Sequence, residues 1–184
     1  MTTTNMQRIY YRVRQFASGL MARLDAADVS AVERLLPPDG FALFLRMPAD
    51  AQRHSLNVYR TLQSSGHDDP DLAAAALLHD VGKVAADEAG VRINLWLRGP
   101  LVLLEALAPD WLNQLAAANP AQGWRYALHV HFDHPAIGAT WAAQAGCTET
   151  TCWLIAQHQN IAANTQDQRR QELLHALQWA DNRN

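Results

Sequence analysis

Apolar residues recur at helical intervals along most of the chain. Ala51, His54, Val58 and Leu62 fall at i, i+3, i+7 and i+11, and Leu72, Ala76 and His79 follow the same stripe. So do His134 with Ile137, Trp141 and Ala145, His158 with Thr151, Leu154 and Ile161, and Asp181 with Leu174 and Leu177. Each set lies on one face of a helix of period 3.6, and no alternation of period two competes with it. Caps, prolines and glycines set the predicted bounds. A helix is expected over residues 7–24, then a short one capped by Ser30 that runs to Leu36 and stops at Pro37-Pro38. A brief apolar turn at residues 41–45 follows. Pro48 opens a helix through Leu62 that ends near Gly66, and Asp69-Pro70 opens another through His79 and Asp80. The apolar stretch 91–119, interrupted by Gly99-Pro100 and Pro109, is expected to form two or three short helices. Further helices are predicted over 124–129, 135–145 (closed by Gly146), 148–158 and 167–180.

Composition agrees with that pattern. The chain holds 32 Ala and 24 Leu against 9 Val and 5 Ile, so strong helix formers far outnumber β-branched aliphatics and the expected fold is all-α, a compact multi-helix bundle. Its 184 residues suit one domain, with residues 1–47 as a helical extension packed on a core of residues 48–184. A net charge of −3 disfavours a nucleic-acid polymer as partner. The longest apolar run, Leu72 to Leu78, is too short to span a membrane. The arginine-bearing start lacks the apolar core of a secretory signal, and two cysteines, Cys147 and Cys152, suit a reducing compartment; a cytoplasmic location is expected.

A lone histidine in a helical protein is ordinarily a hydrogen-bonded core or surface residue. Position changes that reading. His54, His79, His134, His158 and Asp181 occupy the inward stripes of five separate helices, and Asp80 adjoins His79. Burying a carboxylate without a cation costs several kcal/mol or forces its protonation. A bound metal removes that cost, and neutral imidazole with carboxylate is the ligand set that iron, manganese or zinc accepts.

The segment AAALLHDVGK, Ala74 to Lys83, resembles the signature of the HD-domain superfamily of metal-dependent phosphohydrolases. His54, then His79-Asp80, then Asp181 follow the order of that family's H…HD…D core. The stretch HPAIGA from His134 is similar to the HPxxGA segment of the two-metal subgroup, and His158 in LIAQHQN matches the first histidine of its HH pair. Gln159 stands where the second would be, and no GYP follows, so the resemblance is not to the HD-GYP branch.

The resemblance implies one or two divalent ions (Fe, Mn, Zn, Co, Ni or Mg) held by His54, His79, Asp80, His134, His158 and Asp181, with Asp80 bridging. It implies hydrolysis of a phosphoester, a nucleotide or other small phosphorylated molecule, by a metal-bound hydroxide, with Lys83 set against the phosphate. Asp80 and Lys83 are the expected catalytic residues. Asp50, one turn before His54, is within reach of a second ion but reads first as a solvent-facing acid in a first helical turn. His129, His131 and Asp133 crowd beside His134, with His131 the first candidate for a general acid. His67 and His175 carry no signal. Two other readings remain open: an HD-type di-iron oxygenase, and a catalytically silent regulatory or binding protein. Residues 91–119 offer an apolar surface for a possible homodimer.

Overall fold

Asp25 begins the first helix of the structure, a computed structural model that describes residues 24–91 and 114–184. Its carboxylate accepts from the Asp28 N–H at 2.7 Å, capping α1 (Ala26–Leu35). Ser30, the expected cap, therefore lies inside α1, because an acid five residues earlier satisfies the first-turn donors. Pro37-Pro38 ends α1 and at once begins α2 (Pro38–Arg46), with Pro38 in the first turn, where a missing N–H costs nothing. The expected apolar turn at residues 41–45 is thus part of a helix.

Next come α3 (Ala49–Ser64) and α4 (Pro70–Leu78), which Asp69 caps by accepting from the N–H groups of Asp71 and Leu72. Helix α4 ends at Leu78, two residues before the predicted end; a 3-10 turn (Val81–Lys83) and α5 (Val84–Glu88) continue the chain. Another 3-10 turn (Pro120–Gln122) leads into α6 (Trp124–Gln144), followed by α7 (Glu149–Gln157) and α8 (Gln168–Asp181). Helix α6 is a single element. The expected helices over 124–129 and 135–145 join through residues 130–134, with Pro135 inside. Gly66 and Gly146, at φ of 83° and 81°, close α3 and α6 in the left-handed conformation that glycine adopts without penalty. The described residues are all helix, turn and loop, with no strand among them. The predicted helix over 7–24, and the helices and dimer surface assigned to 91–119 except at that segment's two edges, lie outside the described residues.

Helix α4 organises the bundle. Leu72 and Ala74 to Leu78 are all buried, as expected for a helix apolar on every side, and α3, α7, α8, α1 and α2 all pack on it. Val32, Leu43, Phe44 and Met47 belong to the same hydrophobic core, so residues 26–47 are integral to it. Among the described residues, no helix is long and apolar enough to cross a membrane.

One polar feature of this packing has no signature in the sequence. Asp28 on α1 is 4% exposed and pairs with Arg53 at 2.8 Å and with Arg60, both on α3. A periodicity reading places Asp28 as an ordinary first-turn acid.

Candidate metal centre

Two of the centre's residues stand at helix ends, both still in right-handed helical conformation. His79 is the C-cap of α4 and His158 the C-cap of α7. His54 comes from the second turn of α3, His134 from the middle of α6 and Asp181 from the last position of α8. Asp80 precedes the 3-10 turn, whose tighter winding sets residues i and i+3 on one side. Lys83 accordingly turns back and donates to Asp80 Oδ2 at 2.6 Å.

The six proposed ligands form two groups, His54–His79–Asp181 and Asp80–His134–His158, with the ligand atoms of each group within 4.8 Å of one another. His54 Nε2 donates to Asp181 Oδ1 at 3.0 Å, and His79 Nε2 lies 3.5 Å from the same oxygen. In the second group, Asp80 Oδ1 lies 3.5 Å from His134 Nε2 and 3.7 Å from His158 Nε2. Asp80 Oδ2 faces the other way, 3.7 Å from His79 Nε2. One carboxylate therefore stands between the groups with an oxygen toward each.

Burial is uneven across the centre. The side chains of His79, His134 and His158 are each 1% exposed, whereas those of His54 and Asp181 are 28% and 30% exposed and that of Lys83 is 50% exposed. Solvent reaches the centre from the side of His54, Asp181 and Lys83.

The Nε2 atoms of His79, His134 and His158 are buried without a hydrogen-bond partner. Each of these rings uses its other nitrogen, donating from Nδ1 to a backbone carbonyl: His79 to Ala76, His134 to His131 and His158 to Ile155, at 2.8–2.9 Å. A carbonyl can only accept, so Nδ1 carries the proton and Nε2 of the neutral ring presents a lone pair. Unsatisfied buried polar atoms are rare in folded proteins, and three converging on two carboxylates fit a cation. Ligands about 2.1 Å from a shared ion stand roughly 3.0–3.4 Å apart at tetrahedral or octahedral angles. The nitrogen–oxygen separations here, 3.0–3.7 Å, are close to that spacing. These buried groups could bind metal ions.

Protonation reflects the same crowding. Burial opposes a charge on His79, but the carboxylates of Asp80 and Asp181 outweigh it and raise its pKa. Burial and the neighbouring charge of His79 lower His158 to about 4. Both carboxylates are held below their usual range against burial, Asp80 by His79, His134 and Lys83, and Asp181 by His54 and His79.

Other candidates lie apart from these groups. Asp50 is exposed in the first turn of α3. His129 pairs with Asp133 at 2.7 Å, and His131, whose side chain is exposed beside Phe132, meets His134 through its carbonyl oxygen. Ile161, expected on the His158 stripe, lies beyond the end of α7 and is 96% exposed.

The glycines of the two motifs were not picked out by charge or periodicity. A Cβ on Gly82 would stand 2.1 Å from the His134 carbonyl oxygen and 2.8 Å from the Gly138 nitrogen. The turn that carries Asp80 and Lys83 therefore lies backbone to backbone against the helix that carries His134. Glycine within both HDVGK and HPAIGA was the available signal. No family model matches the chain, and neither the curated proteins nor the solved structures contain a match.

Proposed function

We propose that this protein is a metal-dependent phosphohydrolase of the HD type, acting on a small phosphorylated molecule with two divalent ions. The observation that carries the reading is the pair of ligand groups sharing Asp80, with the Lys83 ammonium at their solvent side. The resemblance of HDVGK and HPAIGA to the two-metal HD phosphohydrolases supports the same conclusion. In this reading His54, His79 and Asp181 would hold one ion and His134 and His158 the other, with Asp80 contributing to both. Such ions supply Lewis-acid neutralisation of phosphoryl charge and make a bound water acidic enough to ionise near neutral pH.

The remaining work falls to side chains. Lys83 balances Asp80 in the free protein and is exposed enough to pair with a phosphate oxygen when substrate arrives; it is preorganised for that charge by its place in the 3-10 turn. His79 and His134, rigidly buried, keep the ligand set in register. His54 and Asp181 form the rim past which the substrate enters.

Metal analysis of the purified protein, followed by phosphate release from aryl phosphates and nucleotides with Mn²⁺ or Fe²⁺, tests the proposal. About two equivalents of metal and metal-dependent phosphate release are expected, both lost in His79→Ala and Asp80→Ala. Lys83→Met is expected to keep its metal and lose about 10²–10³-fold in turnover. Substrate-dependent oxygen uptake without phosphate release would replace the hydrolase with an oxygenase. A fully loaded protein with no turnover would leave a binding or regulatory role.

A further inference from the structure

The three fully buried imidazoles share one device: each donates from Nδ1 to the carbonyl three residues earlier in the chain, and is best served where no helical N–H competes for that oxygen. Within a helix such carbonyls are scarce, since each accepts from the N–H four residues ahead; they are left over in the last turn. His79 and His158 meet this condition by position. Each caps the end of its helix, so Ala76 and Ile155 lie in last turns. His134 does not, because α6 runs on to Gln144. Its partner is the His131 carbonyl, which would ordinarily accept from residue 135. That residue is Pro135, which has no N–H.

We propose that Pro135 is a positioning residue of the metal centre: by withholding the N–H that would occupy the His131 carbonyl, it leaves that oxygen to His134 Nδ1 and so aims the Nε2 lone pair at the second ion. The inference rests on the two-metal reading for its functional consequence. Proline is the least favourable residue for a helix interior. Here it is buried in a helix that continues through it, and its one distinctive chemical effect falls on the carbonyl that holds a candidate ligand. His134 Nε2 is buried and unpartnered, so a ring freed to turn or to change tautomer would withdraw that lone pair from Asp80.

The test separates the missing donor from the shape of the ring. In metal-free protein, two-bond ¹H–¹⁵N correlations of the imidazoles report each tautomer, and Zn²⁺ competition against a chromophoric chelator reports each binding step. Wild type is expected to show His134 with its proton on Nδ1. Pro135→Ala restores the N–H; mixed tautomers at His134 and about a 10–100-fold loss of affinity for one of two zinc equivalents are expected, with helix content unchanged or higher. A variant with lactic acid at position 135, whose backbone ester lacks both the N–H and the ring, is expected to regain the wild-type tautomer and affinity. Wild-type tautomer and affinity in Pro135→Ala would overturn the proposal, as would an ester variant that binds as weakly as a misfolded or alanine-substituted chain. If wild type binds no zinc while the His134 tautomer still follows the donor at position 135, the two-metal reading fails and the positioning of the ring stands.

Discussion

His79 and His158 stand ring to ring, 5.2 Å between centroids, yet their surroundings push protonation in opposite directions. His158 has a folded-state value of about 4, so between pH 6.5 and 4 the unfolded chain takes up a proton there that the folded chain refuses. Stability of the metal-free protein should fall across that window by about 3 kcal/mol. The raised pKa of His79 acts the other way: its contribution is complete below about 6.5 and is lost as pH rises through its folded value. Asp80 and Asp181, both lowered, keep their contributions until the pH falls below about 4. Urea midpoints of chelator-treated protein at pH 4.5, 6.5 and 8.5 should therefore peak near 6.5; a flat profile would contradict these assignments. At this scale periodicity revealed that His79, His134 and His158 face inward. It could not reveal which nitrogen each ring presents, since that depends on carbonyls left free by helix ends and by Pro135. Nor could it show Asp28 buried between Arg53 and Arg60, because their contact joins two helices.

Among the elements, the junction of α4, the 3-10 turn and α6 sets the centre. Gly82 lets the backbones of the turn and α6 touch, and Val81 packs beside Gly138 at the same crossing. Gly82→Ala would place a methyl against the His134 carbonyl, where no flexible side chain can yield. A destabilisation of about 3 kcal/mol or more is expected in urea unfolding, at the top of the usual range for overpacking, together with loss of one metal equivalent. A variant with wild-type stability and metal content would show that the contact is unimportant. On the opposite side of α4, Asp71 accepts from Thr148 and Thr151 of the α7 N-terminal region and pairs with Arg169 of α8 at 2.7 Å. One acid thus ties together the starts of the helices that end at His79, His158 and Asp181. The starts of α3, α4 and α8 followed from stripe, cap and proline to within a residue, although α4 stops two residues short of its expected end. The α2 helix and the continuity of α6 did not, because proline marks a boundary on sequence grounds, whereas Pro38 opens α2 and the buried Pro135 lies inside α6.

For the molecule as a whole, the centre binds five helices and one turn to a shared set of ligands, so ion binding should stabilise the entire fold. Free Zn²⁺ or Mn²⁺ at about 100 times its dissociation constant should add about 2.7 kcal/mol, raising the melting temperature of this 184-residue chain by roughly 5–10 °C. The rise should vanish with chelator and in Asp80→Ala; an unchanged melting temperature in wild type would argue against the centre as a metal site.

Sequence alone determined the helical class, most helix positions and the inward direction of His54, His79, His134, His158 and Asp181, because those properties depend on local spacing and composition. Only the tertiary structure decided that Asp80 turns one oxygen to each group, that Lys83 closes on it, and that a backbone contact at Gly82 sets the distance to His134. Apart from the local Lys83 contact, those facts are separations between residues as far apart in the chain as Asp80 and His158. Packing sets such distances, and a periodic pattern along one helix contains no measure of them.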